Sequence, residues 1–190
     1  MRTNNRFLFW QPKTDYLKSL AKSKFKLSLL VVLNYLIWIF LFYISYLLAR
    51  HSTLIIGKIF IITLLSEVIE KILKKRIYWR RPLFVRHDKT PPGLIDSWYK
   101  TGSFPSGHTI KATYFLMLIL QYQVFNPFIY LLIVLPLLTF RVIVGFHYPV
   151  DMLGGGIIGV VLYLLATPLS LPTFVNSIVD KLFKIIFYVR

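Results

Sequence analysis

Apolar residues in this chain fall into long blocks separated by short polar breaks. Five blocks stand out, at about 25–49, 53–73, 106–125, 128–145 and 149–167. A helix needs about 20 mostly apolar residues to cross a bilayer, and each block approaches or exceeds that length. The pattern predicts five transmembrane helices. His51 and Ser52 make a tight turn between the first two, and Lys58 can snorkel from the start of the second. Residues 7–24 mix aromatics with lysines, which predicts a helix in the membrane interface with Trp10 and Tyr16 at headgroup level. Residues 74–104 form the one long polar loop. The tail 174–190 sets Asp180, Lys181 and Lys184 in an apolar frame. It reads as amphipathic and interfacial, with a sixth short span as the alternative. The expected fold is an all-α polytopic membrane bundle in three parts: an interfacial segment 1–24, a membrane domain 25–170 and an amphipathic tail 171–190.

Composition agrees. Of 190 residues, 56% are hydrophobic and only 16% charged, where about a quarter is usual in soluble domains. Mean hydropathy is +0.64. The net charge of +16 would suggest nucleic acid in a soluble protein. In a membrane protein it fits anionic headgroups or an anionic substrate, and no nucleic-acid partner is expected. The absence of cysteine excludes disulfides and thiolate-bound metals.

Topology then focuses the chemistry. With two spans before the long loop, the N-terminus and that loop share one side. The ends of spans two and four, and the starts of spans three and five, meet on that face. Lys74 and Arg81-Pro82, then Pro105-Ser106-Gly107-His108, then Arg141, His147 and Asp151 all fall there. Taken singly these residues are cationic anchors, a helix start and an interfacial turn. Together they suit a phosphate ester. Arginine offers a planar fork for two oxygens and lysine a point charge. Lys74, Arg81 and Arg141 can surround one phosphate, while Ser106 and the first N–H groups of the third span add donors and a helix dipole. Gly107 allows close backbone approach. Glu70, four residues before Lys74, is placed to pair with it and position its ammonium. Gly155 and Gly159 predict close helix packing.

The three stretches "KKRIYWRRP", "PSGH" and "FRVIVGFHYPVDMLGG" together resemble the PAP2 family, the type 2 phosphatidic acid phosphatases or lipid phosphate phosphatases, whose core is shared with vanadium haloperoxidases. The likeness covers roughly residues 53–167. It implies that His147 is the nucleophile, forming a phosphohistidine, and that Asp151 hydrogen-bonds its other nitrogen. It implies that His108 protonates the leaving oxygen and then activates water. With three cations supplying positive charge, no metal or other cofactor is called for. One departure stands out: the family usually has Ser before the arginine of the third motif, and here that position is Phe140, with Thr139 one residue earlier. The expected activity is a multi-pass cell-membrane phosphatase acting on a lipid phosphomonoester or diphosphate. Undecaprenyl diphosphate, phosphatidylglycerophosphate and phosphatidate remain open as substrates, and the oligomeric state is not set by the sequence. Vanadate-dependent halide oxidation, or non-enzymatic lipid-phosphate binding or transport, are the alternatives. Seven Lys or Arg in residues 1–26 favour a cytoplasmic site, whereas the resemblance implies the outer face, which is the expectation taken.

Overall fold

The computed structural model describes residues 7–11, 24–82, 101–168 and 172–187. Among them six helices form and no strand. These are α1 (Lys24–His51), α2 (Thr53–Lys75), α3 (Gly107–Tyr122), α4 (Pro127–Ile143), α5 (Pro149–Ala166) and α6 (Thr173–Phe187). Segments Val32–His51 and Pro149–Ala166 are long and apolar enough, by length and composition, to cross a membrane, and Pro127–Ile143 is a shorter apolar helix.

Helix ends follow local chemistry. The Asn126 side chain accepts from the N–H groups of Phe128 and Ile129, at 2.9 and 3.1 Å. With Pro127 at the first helical position, it starts α4 as a capped helix. Helix α3 therefore stops at Tyr122, three residues short of the apolar block, and Gln123 turns the chain with a φ of 53°. Pro149 opens α5 as the sequence suggests. Lys58 donates to the Thr167 carbonyl at 3.3 Å, so its charge lies at the C-terminal end of α5.

One expectation changes. Residues 7–11 form a turn closed by Trp10 N–H on the Phe7 carbonyl (3.2 Å), not a helix. Pro12 follows, and a residue before proline is steered away from the helical region. The rest of the expected interfacial helix, residues 12–23, lies outside the described residues, as does the loop 83–100. Helix α6 packs along α2 and has an exposed ion pair between Lys184 and Asp180 (2.9 Å). At 15 residues it reaches about 22 Å, short of a hydrocarbon core of about 30 Å.

The core lies where α1, α3 and α4 meet, around Ile44, Leu48, Ile110, Tyr114, Ile119 and Tyr130. The closest pairing is α3 with α5. A side chain at Gly155 would bring its Cβ to 2.7 Å from the Ser106 carbonyl, and one at Gly159 to 2.8 Å from Thr113 Cβ. The two glycines, one turn apart, let the backbones approach as the small-residue spacing predicts. This contact sets the head of α3 against the first turn of α5.

Candidate active site

The site is assembled at one end of the bundle. Residues 74–82 and 101–108, the end of α4 and the start of α5 converge there. The two flanks of the long loop are joined by backbone bonds, Gly102 N–H to the Lys74 carbonyl (3.1 Å) and Ser103 N–H to the Trp79 carbonyl (3.2 Å). The N-terminal turn docks at this end as well. Val150 N–H donates to the Leu8 carbonyl at 3.1 Å, and the Phe9 ring meets Trp79 and Tyr148 edge-on.

His147 owes its place to the end of α4. Gly145 adopts a φ of 82°. Its N–H bonds the Val142 carbonyl (3.0 Å), while Phe146 N–H reaches back to the Arg141 carbonyl (2.9 Å). This is the paired closure of a Schellman motif, which favours glycine at the left-handed position. It holds Arg141 and His147 in fixed relation. The His147 ring is 1% exposed. Its Nδ1 lies 2.9 Å from the Ser103 carbonyl, and Asp151 Oδ2 is farther, at 3.4 Å. A carbonyl only accepts, so Nδ1 carries the hydrogen and Nε2 keeps its lone pair. Burial, and then the charges of Arg81, Arg141, Lys74 and His108, hold the ring's pKa well below the usual histidine range. At neutral pH the imidazole is uncharged.

Asp151 faces His147 Nδ1 from Oδ2 at 3.4 Å, on the ring nitrogen that the resemblance implies, but makes shorter bonds elsewhere. Its Oδ2 accepts from Tyr148 N–H at 2.7 Å, capping α5, and its Oδ1 accepts from Trp79 Nε1 at 2.9 Å. The backbone is the reason: the first turn of α5 carries unpaired N–H groups, and a carboxylate at its third position satisfies one of them. Asp151 thereby ties α5 to the loop after α2 and stays beside His147.

The cations gather as the sequence suggests. Arg81 is 4% exposed and donates from Nη1 to the Phe146 carbonyl at 3.2 Å. Burial draws its pKa down to about 10, which leaves it charged at neutral pH. Arg141 is equally buried. Its Nη1 bonds Asn34 Oδ1 and lies 3.3 Å from His108 Nε2, and the guanidinium rests over the Phe146 ring. Lys74 pairs with Glu70, as expected. The wholly buried Ser106 accepts from Thr109 Oγ1 at 3.0 Å, and its N–H bonds the Asp151 carbonyl at 3.1 Å.

Gly107 leaves room for a different group from the one expected. A Cβ there would collide with the Glu70 carboxylate. That carboxylate also faces Lys111 Nζ at 3.6 Å, and Lys111 pairs with Glu67 at 2.7 Å. The Glu70 carboxylate thus stands beside the head of α3, where a side chain at Gly107 would lie. Sequence reasoning missed Asn34, Trp79, Ser103 and Lys111. Asn34 and Lys111, polar residues inside apolar blocks, were visible signals; Ser103 acts through its carbonyl and left none.

The sequence pattern of the PAP2 superfamily matches residues 55–172. The chain belongs to the PAP2 superfamily. A solved structure, a transmembrane PAP2 type phosphatidylglycerolphosphate phosphatase from Bacillus subtilis, aligns with a TM-score of 0.52 and 19% identity. The alignment covers 80% of this chain and 81% of that one. No curated protein matches the chain. The PAP2 match spans α2 to α5 and contains Lys74, Arg81, Ser106, Gly107, His108, Arg141, His147 and Asp151.

Proposed function

We propose that this PAP2 protein is an integral-membrane lipid phosphatase that works through a phosphohistidine on His147. His147 Nε2 attacks phosphorus, the N–P bond forms, and the bond from phosphorus to the lipid oxygen breaks. His108 gives its proton to that oxygen. Water then attacks the phosphohistidine, His108 takes the water's proton, and orthophosphate leaves. Lys74, Arg81 and Arg141, with the N–H groups at the head of α3, bind the phosphate and stabilise its transition-state charge. The Ser103 carbonyl fixes the His147 tautomer, with Asp151 stabilising the charged ring from a second position.

The observation that carries this reading is the His147 ring itself: buried and held through Nδ1 at 2.9 Å from a carbonyl beside two buried arginines. The five blocks are taken as five spans, with residues 1–24 and 171–190 at the interface. The site is placed at the membrane surface, where a lipid headgroup lies, and the outer face is the orientation proposed. The substrate is a lipid phosphomonoester or diphosphate.

The test is phosphate release by purified protein from a panel of lipid phosphates, with and without chelator, comparing wild type with His147→Asn. The expected result is release by wild type and a loss of at least about 10³-fold in the variant, with lipid-phosphate binding retained. Equal release by both proteins would refute the reading. Halide oxidation with added vanadate in place of phosphate release would favour the haloperoxidase alternative. A single cysteine in 86–100, probed with an impermeant thiol reagent, reads the orientation.

A further inference from the structure

Helix α1 lies outside the matched stretch 55–172, yet it reaches into the site. Asn34 is a polar residue within the run "LLVVLNYLIWIF", and it is 8% exposed. A buried amide in an apolar helix is costly unless it is hydrogen-bonded. Asn34 Oδ1 accepts from Arg141 Nη1. One turn on, the Trp38 ring packs on the His108 ring with centroids 4.8 Å apart, and Lys111 Nζ lies 5.3 Å from the Trp38 ring centre. One face of α1 therefore contacts Arg141, His108 and Lys111.

We propose that Asn34 is a positioning residue for Arg141, serving where the hydroxyl usual in the third motif is replaced by Phe140, and that Trp38 braces His108 from the same helix face. Holding Nη1 leaves the Nε–Nη2 edge of the guanidinium for two phosphate oxygens. Nε on that edge is buried and without a partner among the described residues. The choice of asparagine matters. Its carbonyl oxygen aims the guanidinium without cancelling its charge. A carboxylate at the same place would keep the acceptor and neutralise the cation.

For turnover this inference rests on the phosphatase reading; for anion binding it does not. The experiment uses the purified full chain with orthovanadate as the anion probe, read by calorimetry, and kinetics on the best lipid phosphate found. Asn34→Leu is expected to weaken vanadate about tenfold and to lower kcat/KM about 30-fold at unchanged melting temperature, since leucine suits a membrane helix. Asn34→Asp is expected to weaken vanadate at least as much, which a merely structural amide would not predict. In an Arg141→Lys background, Asn34→Leu is expected to cost less than about threefold more, because the fork it aims is gone. Trp38→Phe should retain most activity, and Trp38→Leu should lower kcat with KM unchanged. Wild-type vanadate affinity in Asn34→Leu or Asn34→Asp, or equal cost of Asn34→Leu in both backgrounds, would overturn the proposal. If Asn34→Leu fails to fold, the Asn34→Asp arm decides. A wild type that binds vanadate but releases no phosphate would sink the phosphatase reading and leave the vanadate arms standing as the test of Asn34.

Discussion

The two ends of the bundle are built on opposite principles. At one end Arg81, Ser103, Ser106, Arg141, His147 and Asp151 are all 4% exposed or less. At the other end a cleft of about 370 Å³ opens between α1, α2 and α6, lined by Phe42, Phe60, Ile61, Val175, Val179 and Leu182 among others. Along α2 the cleft residue Gly57 and the site residue Lys74 are separated by 17 positions, or about 25 Å of helix. This cleft therefore lies far from the chemistry. Burying arginine, histidine and aspartate is costly unless each is paired, and at the site end that cost is met by hydrogen bonds from three chain segments. The apolar cleft needs no such partners, and its lining is tolerant for the same reason.

The difference can be broken by substitution at either end. Among substitutions that keep every reacting group, the largest expected effect is at Gly145, whose φ of 82° is strained for a β-branched residue. Gly145→Val should open the closure between Arg141 and His147 and lower kcat/KM about 100-fold, the scale of a displacement of about 1 Å at a reacting centre. It should also lower the melting temperature. An intermediate effect is expected in the pH profile. His147 must be neutral to attack, and its folded pKa is depressed, so falling pH protonates it only well below 6.5. The acid limb of kcat/KM should therefore lie below that value once the substrate's own ionisation is subtracted. A limb at or above 6.5 would mean a solvated nucleophile. The smallest effect is at the far end. Ser45→Leu should partly fill the cleft and leave phosphate release within about twofold of wild type. A large loss there would join the two ends functionally.

Much of the site was legible because its polar residues interrupt apolar blocks. Lys74, Arg81, Ser106, His108, Arg141, His147 and Asp151 lie at block ends, and the up-and-down order of the helices brings those ends together. The helix-packing role of Gly155 and Gly159 was legible from their spacing on one face. The partners were not. Asp151 spends its carboxylate on its own helix start and on Trp79, a contact across 72 residues that no local pattern encodes. His147 meets a backbone carbonyl, and any residue type carries one. Arg141 is held by α1, from the far side of the long loop, and a lone Asn in an apolar run shows only that some partner exists. Gly107 marks a close approach, but not that the approaching group is Glu70. Sequence spacing thus located the chemistry, while tertiary contacts determined which atom holds which.

The most direct measurement is a rapid acid-free quench of the purified protein during turnover of a lipid phosphate labelled in the phosphoryl group. The account predicts protein-bound label on the peptide containing His147, stable in base and lost in acid, and absent from His147→Asn. Turnover with label on His108 instead, or with none on the protein while His147→Asn remains active, would contradict it.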